Sequence, residues 1–576
     1  MSDELPRQRE ARRGFSVCYR GKTLLSVVDP INQAERIAGS IEKLSRTLYF
    51  CPSPLYGYGL TRLLSGISPD SAVLCVETDE RLMALSLEAM EGLLRENPQL
   101  RLVRTADPAG LCACVREFWG SRRFRRVVTA RLSGGWQLDG ERYQALADAL
   151  SRDIASDWSN AMTLLKLGRR YIRNAIRNLS LIPRVPDISR VDFGGAPILV
   201  PGAGPSLDGI LEGLSAAFGD LSNPAERPFR IICVDTALRA LRERNIKPDL
   251  TVALESQHWN LRDFIGLGDW TIPLAMDLSA LPATAAVPGA EPFLFFTPWA
   301  PLSLFDRLEQ AKFLPKTLAP LGSVGLTAVA LALRLGSGPV VTGGIDFSFT
   351  PDGFHARATP GGLESLHRNT RFQSLINAGQ TFRRGSVSTR SKTGVPVRTD
   401  PAMKGYRDLF EREFAGENSG AGGPRLLSIT GSGLPLGIPA VEGEEAWAIL
   451  AGGPGEDGPS GNGPETRWSV PAGDRAQLRG AVELFVREER ETLITLRGIL
   501  KGEIAPGQGE LEKLLDTADY LWAHFPDCAG AGGRRPPGTD TSFLKRVRVE
   551  LDPCIALYDL VLAELAEPAP GGTHLS

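Results

Sequence analysis

Gly202, Gly204 and Ser206 alternate with Ala203 and Pro205 in the stretch Ile198–Asp208, ILVPGAGPSLD. The two glycines let the backbone turn sharply and come close to a ligand. Ile198, Leu199 and Val200 ahead of them form an apolar run of the kind that makes a buried strand. Ser206 is the right type to cap a helix that begins near Leu207 and continues through Ile210, Leu211 and Leu214. Such a strand, turn and helix start would form an anion site: unpaired N–H groups point outward and the helix dipole adds positive potential. A phosphate is the natural guest. Leu207 stands where the dinucleotide fingerprint G-x-G-x-x-G needs its third glycine, so that motif is not met. An ordinary strand-to-helix turn is the plain alternative.

The elements around this turn should bring further polar groups to it. Arg230–Val234 reads as a strand ending at Asp235, and Leu250–Leu254 as one ending at Glu255. Phe293–Phe296 and Pro339–Thr342 are further strand candidates, the latter closed by Gly343-Gly344-Ile345-Asp346. Gly322-Ser323 opens a helix through Arg334 that is apolar nearly all round, so it should be buried. Alternating strands and helices predict an open α/β sheet. Ligands gather at the carboxyl ends of the strands in such sheets, where the strand order switches. Gly202, Asp235, Glu255 and Asp346 all fall at strand ends, and Ser323 would cap a second helix start there. Asp235 and Glu255 would accept hydrogen bonds from sugar hydroxyls or a base amino group. Each residue also has a local explanation: Asp235 as a cap for the helix at Thr236, Asp346 as a turn closure.

Composition narrows the classes. The 576 residues suggest several domains. Apolar content of 42% and charge of 23% are those of a soluble globular chain. A net charge of −2 argues against a dedicated nucleic-acid binder. The eight Cys are scattered without a C-x-x-C pair, so no zinc site is expected and a reducing compartment is. No apolar signal region opens the chain and no run of ~18 apolar residues occurs, so the expected location is the cytoplasm, with no membrane span.

Six segments are expected. Residues 1–14 read as a frayed, disordered tail. Residues 15–142 read as a smaller α/β domain, with strands at Leu48–Cys51, Ala72–Glu77, Leu102–Thr105 and Val127–Leu132. There Tyr56-Gly57-Tyr58-Gly59 and Glu77 have the pattern that holds a nucleotide ribose, or else a purely structural role. Residues 143–194 read as a helical connector whose Arg169, Arg170, Arg173 and Arg177 form a basic, solvated face. Residues 195–440 form the central domain. Within it Ser348–Asp400 reads as loops or a lid carrying Arg357, Arg368, Arg371, Arg383, Arg384, Arg390, Lys392 and Arg398, which suit phosphate or carboxylate. Residues 441–470 read as a Gly/Pro-rich linker, most plainly at Gly452–Glu465, and 471–576 as a helical C-terminal domain.

GAGPSLDG, then VDTALRALRERNIKPDLTVALE, then GSVGLTAVALALRLGSGPVVTGGIDFSF resemble the motility accessory factor proteins. That family comprises bacterial flagellin glycosyltransferases whose central domain is shared with pterin pyrophosphokinases. The same stretches are similar to motifs of bacterial CMP-sialic acid sialyltransferases. The resemblance implies a central Rossmann-like, sialyltransferase-like open sheet. It implies that Gly202, Ala203, Gly204, Pro205 and Ser206 hold a donor nucleotide, with Asp235, Glu255, Ser323 and Asp346 beside it. Sialyltransferases carry Asn where Asp235 and Glu255 stand, and the segment Gly394–Asp400 lacks their general-base His. His355 is the candidate base, because an imidazole transfers protons near neutral pH.

The activity so implied is inverting transfer of a nonulosonic, sialic-acid-like sugar from a CMP-sugar to Ser or Thr of flagellin. No cofactor is expected to be bound permanently. No Asp-x-Asp motif occurs in the central domain, so a divalent metal is admitted but not required, and no metal ligands are assigned. Two alternatives follow: ATP-dependent pyrophosphoryl transfer to a pterin, or a non-enzymatic flagellin-binding factor.

Overall fold

Short apolar runs bounded by turn residues become strands here because each can bury both faces between helices. In the computed structural model, residues 5–120, 123–268, 270–350, 353–372, 374, 385–418, 425–452, 472–526, 528 and 538–567 are described. The chain divides into two units, Met1–Gly168 with Trp522–Pro537, and Arg169–Leu521 with Gly538–Ser576.

The first unit contains β1 (Arg7–Glu10), β2 (Phe15–Tyr19), β3 (Lys22–Thr23), α1 (Pro30–Ser40), β4 (Thr47–Pro52), α2 (Leu60–Leu64), β5 (Ala72–Glu77), α3 (Glu80–Glu96), β6 (Leu100–Arg104), α4 (Pro108–Trp119) and β7 (Arg126–Thr129). Strands β6-β5-β4-β7 form a parallel sheet, as the sequence leads one to expect. The tail reading of residues 1–14 is corrected at Arg7–Glu10, and residues 1–4 lie outside the described residues. Arg7–Glu10 pairs antiparallel with Phe15–Cys18, held by a backbone ladder although all four of its side chains are exposed. Arg7, Gln8, Arg9 and Glu10 are all polar and gave no apolar signal to read. The crevice at the end of β5 is filled: Glu77 is buried and accepts from Ser53 Oγ at 2.7 Å, Tyr143 Oη at 2.7 Å and the Thr78 amide at 3.0 Å. Its carboxylate oxygens are thus committed within the chain, which favours the structural reading of this domain.

One helix, α5 (Gly140–Asn178), spans both units, so residues 143–194 are not a separate connector; its turns from Arg169 on belong to the second. The second unit continues with β8 (Ile198–Pro201), α6 (Leu207–Phe218), β9 (Arg230–Val234), α7 (Leu238–Glu243), β10 (Leu250–Ala253), β11 (Ile272–Asp277), β12 (Ala290–Phe295), α8 (Ser303–Gln310), α9 (Val324–Leu335), β13 (Val340–Gly343), α10 (Pro360–Arg368), β14 (Val387–Arg390), β15 (Pro396–Thr399), α11 (Pro401–Phe414), β16 (Leu426–Ile429), β17 (Ala440–Val441) and α12 (Gly443–Ala451). Then come α13 (Ala472–Lys501), α14 (Glu510–Thr517) and α15 (Thr541–Ala566). Its sheet runs β12-β11-β10-β9-β8-β13-β16-β17 with parallel neighbours throughout. From β8 the chain steps outward to β12, then crosses back to lay β13 on the other side of β8. The switch therefore lies between β8 and β13. Helix α9 packs on β8, β9, β10 and β13 and is buried along most of its length.

Three further expectations change. The linker reading of 441–470 fails at its start, where α12 buries Ala446 and Leu450; most of Gly452–Glu465 lies outside the described residues. Residues 471–576 are no independent domain. Arg307 on α8 grips Glu489 on α13 through two bonds of 2.6 and 2.8 Å, and α15 packs on α13, within the same unit as the sheet. The basic face on α5 is not merely solvated: Arg169 pairs with Glu550 and Arg177 with Glu564 at 2.8 Å, both on α15.

Two buried asparagines one turn apart fix the end of α5 to the sheet. Asn174 Nδ2 donates to the Ser256 and Ser279 carbonyls, each at 3.1 Å. Asn178 Nδ2 donates to those of Leu278 and Ala280 at 2.8 and 2.9 Å. Replacing Asn178 with Ala leaves two buried carbonyls unpaired and should cost about 2 kcal/mol of unfolding free energy. Denaturant titration of the full chain reads this directly, and a loss under about 0.5 kcal/mol contradicts the assignment.

Candidate active site at the sheet switch

The turn after β8 and the turn after β13 touch backbone to backbone. Gly202 N–H donates to the Gly343 carbonyl at 2.8 Å and Gly204 N–H to that of Gly344 at 2.7 Å. A Cβ on Gly202 would stand 2.5 Å from the Gly344 oxygen, and one on Gly344, whose φ is +74°, 2.6 Å from the Gly202 oxygen. Only glycine fits this approach. The glycines at 202 and 204 are thus required by another stretch of backbone as well as by any ligand.

Asp346 closes the start of α6. Its Oδ2 accepts from the Ser206 amide at 2.8 Å and its Oδ1 from Ser206 Oγ at 2.6 Å. The expected geometry is corrected in two respects: Ser206 does not cap through its own side chain, and the helix start already faces a carboxyl group. The Ser206 amide and hydroxyl are thus already taken within the chain. Burial pushes the Asp346 pKa up, against the two Ser206 bonds and the nearby Lys392, which pull it down. Lys392, itself driven down to about 8 by burial, hydrogen-bonds Ser428 Oγ and the Ile429 carbonyl. The loop after β16 completes the cluster, with Gly433 so close that a Cβ would lie 2.7 Å from Asp346 Oδ1.

Beside this cluster is a cavity of about 790 Å³ whose lining includes Arg390, Thr399, Lys404, Arg407 and Leu434. Its walls are tied to the Asp346 turn: Leu434 N–H donates to the Asp346 carbonyl at 2.8 Å and Thr399 Oγ1 to that of Phe347 at 2.8 Å. The loops expected over Ser348–Asp400 are in part a hairpin, β14–β15, and the short helix α10. Of the basic groups expected there, Arg390 lines the cavity, Lys392 is half-buried beside Asp346 and Arg398 is held by Ser386; Arg383 and Arg384 lie outside the described residues.

On the other side of β8 the strand ends are acidic. Asp235 is buried, its Oδ1 taken by the Thr236 amide at 2.8 Å and its Oδ2 by Asn260 Nδ2 at 3.0 Å. It does cap locally, as the simpler reading has it, but it also faces Asp263. Burial first, and Asp263 and Glu255 besides, raise Asp235 to about 7 against its Thr236 bonds. Burial, opposed by Arg262 and helped by Glu255, raises Asp263 to about 6. Glu255 is exposed and accepts from the Gln257 amide at 2.9 Å. Tyr171 of α5 completes this edge. Burial, then the charges of Glu255 and Asp277, push its phenol up to about 12, and its ring lies 5.3 Å from that of Trp299.

Ser323 precedes α9 half-buried and without a side-chain capping bond. A Cβ on the adjacent Gly322 would stand 3.4 Å from the Tyr406 ring, and one on Gly325 3.6 Å from Ile345. The start of α9 is therefore near the switch. His355 lies beside the glycine turn: the next residue, Ala356, donates its N–H to the Ala203 carbonyl at 3.0 Å. The imidazole keeps an exposed face, yet the protein packed around the rest of it lowers its pKa, opposed by a hydrogen bond with the Ala203 backbone and assisted by Arg262. The arrangement brings together Gly202, Ala203, Gly204, Ser206, Asp346 and His355 around one turn, and Asp235 and Glu255 on the neighbouring strand ends. Sequence reasoning missed Asn260, Asp263, Tyr171, Tyr406 and Lys404 as site residues. None sits in a glycine turn or directly follows an apolar run.

Raised carboxyl pKa values give this edge a pH signature. Folded Asp235 and Asp263 hold protons at a pH where the unfolded chain has released them. Their contribution to the unfolding free energy therefore falls as pH rises from about 4 to about 7. Asp263→Asn removes one of these groups and the repulsion it exerts on Asp235. Urea unfolding at about pH 5 and pH 8 should show a smaller drop in the variant than in the parent. An undiminished drop contradicts the coupling of the two carboxyls.

Residues 169–352 match the family model described as 6-hydroxymethylpterin diphosphokinase MptE-like. An uncharacterized protein of Treponema pallidum (strain Nichols) is 28% identical over 586 aligned positions, covering 97% of this chain and 96% of its own. The solved structure of a MAf glycosyltransferase from Magnetospirillum magneticum AMB-1 is similar at a TM-score of 0.49 and 16% identity, covering 96% of this chain and 88% of that one. Strands β8 to β13, the switch and the turn after β8 all fall within the matched segment, so this part of the second unit is similar to MptE-like proteins, while β16 and β17 lie beyond the match.

Proposed function

We propose that this chain is a glycosyltransferase of the motility accessory factor type. It moves a nonulosonic sugar from a CMP-activated donor to Ser or Thr hydroxyls of flagellin. The observation that carries the reading is the division of the switch into a basic cavity on the β13–β16 side and an acceptor-rich edge on the β9–β10 side. A CMP-sugar of this class has that polarity, with a phosphate and a carboxylate at one end and a base bearing an amino group at the other. Arg390 and Lys404 give the cavity the charge to hold the anionic end, the task first expected of the start of α6.

In the reaction, the acceptor oxygen attacks the anomeric carbon as the bond from that carbon to the phosphate oxygen breaks. CMP leaves with the electron pair of that bond. His355 takes the hydroxyl proton; its lowered pKa keeps it in the neutral, basic form at pH 7. The cationic wall stabilises charge on the departing phosphate. No step requires a metal.

Pyrophosphoryl transfer from ATP to a pterin is a second reading, favoured by the family match over residues 169–352. Calorimetry with a CMP-sugar against ATP–Mg²⁺ separates the two. Under the first reading, intact-mass analysis shows flagellin losing the mass of its sugars in cells that lack this protein. His355→Ala lowers kcat by about 10²–10⁴-fold in a reconstituted assay while donor affinity changes little. Unaltered flagellin mass in the deletion strain contradicts the reading.

A further inference from the structure

The segment after β10 leaves two buried acceptors without partners. Asn260 is 2% exposed and its Oδ1 has no hydrogen bond, although its Nδ2 is committed to Asp235. Asp263 is 7% exposed and its Oδ1 likewise has none; the Arg262 Nε stands 4.0 Å off, beyond hydrogen-bond range. Leaving buried polar atoms unpaired costs free energy, so two on one short turn call for an explanation. Both are acceptors; Asn260 is hydrogen-bonded to Asp235, and Asp263 interacts with the charges of Asp235 and Glu255. The missing partner must therefore bring donors. Among the described residues no three His, Cys, Asp or Glu side chains are arranged to hold a metal ion, and here the unpaired atoms are one carboxyl and one amide oxygen. An exocyclic amino group carries two N–H donors and can satisfy both at once.

We infer that Asp235, Asn260 and Asp263 form a subsite that reads the amino group of an aminopyrimidine ring. Asn260 Oδ1 and Asp263 Oδ1 accept its two hydrogens, and Asp235 holds Asn260 in the orientation that leaves Oδ1 available. Carboxylates accept in this way from the cytosine amino group elsewhere. A uracil ring presents a carbonyl oxygen at that position and would set acceptor against acceptor. The subsite rests on the glycosyl-transfer reading if the ring is cytosine. The same chemistry is offered by a pterin, which carries an amino group on its pyrimidine ring.

Calorimetry on the full-length chain with CMP, UMP and 6-hydroxymethylpterin tests this. CMP should bind at least roughly tenfold more tightly than UMP. The isosteric Asp263→Asn variant, checked for folding by its thermal melt, should bring the ratio to within about twofold, because an amide nitrogen now replaces one acceptor. Pterin binding that depends on Asp263, with neither nucleotide bound, upholds the subsite and removes the CMP-sugar reading. Equal affinity for CMP and UMP, a ratio unchanged in the variant, or no binding of CMP or pterin overturns the subsite. Demonstrated sugar transfer alongside any of those results leaves the glycosyl-transfer reading standing without it.

Discussion

The second unit depends on one close approach: the backbone of Gly202 against that of Gly344, locked by Asp346 reaching across to Ser206. Two strands that are neighbours in the sheet, but 140 residues apart at the Ser206–Asp346 pair, are tied at their carboxyl ends by this contact. It needs glycine on both turns and a carboxyl group on one. Everything that faces the switch takes its position from it. The loop of Gly431 and Gly433 packs onto Ser206 and Asp346, Lys392 lies beneath, and the 790 Å³ cavity is walled by residues bonded to Asp346 and Phe347.

That lock also decides where an anion can go. A free helix start beside glycines is a ready site for phosphate. Here Asp346 supplies the negative group from within the chain, and the positive potential of α6 is spent on it. Basic side chains on the hairpin and on α11 line the cavity on the far side of β13. Under the proposed reading, the acidic strand ends on the near side take the donor-bearing part of the ligand. The α9 start, without a side-chain cap, lies near Ile345 and Tyr406.

The framework was legible where a buried strand is written as an unbroken apolar run. Arg230–Val234 and Ala72–Glu77 read as strands from their apolar runs alone, and α9 declared its burial by being apolar all round. β11 escaped because Pro273 interrupts its run, and β16 because LLSI is short and follows a glycine-rich segment. At the site, local chemistry was readable and distant pairing was not. Gly202 and Gly204 announced a turn, but nothing near Ser206 told that Asp346 would take its donors. Asn260 and Asp263 lie in a 3-10 segment without periodicity, so only their burial and unpaired oxygens mark them. Asn174 and Asn178 sat in what read as a plain linking helix, one of them in a sequon whose asparagine is fully buried.

Under the proposed function, the anionic group of an activated sugar rests against the basic cavity rather than on the α6 start. A crystal structure of the full chain soaked with CMP tests it most directly. Phosphate density is expected beside Arg390 and Lys404, with the Asp346–Ser206 bonds intact. Phosphate density on the Ser206 amide, with Asp346 swung away, would contradict it.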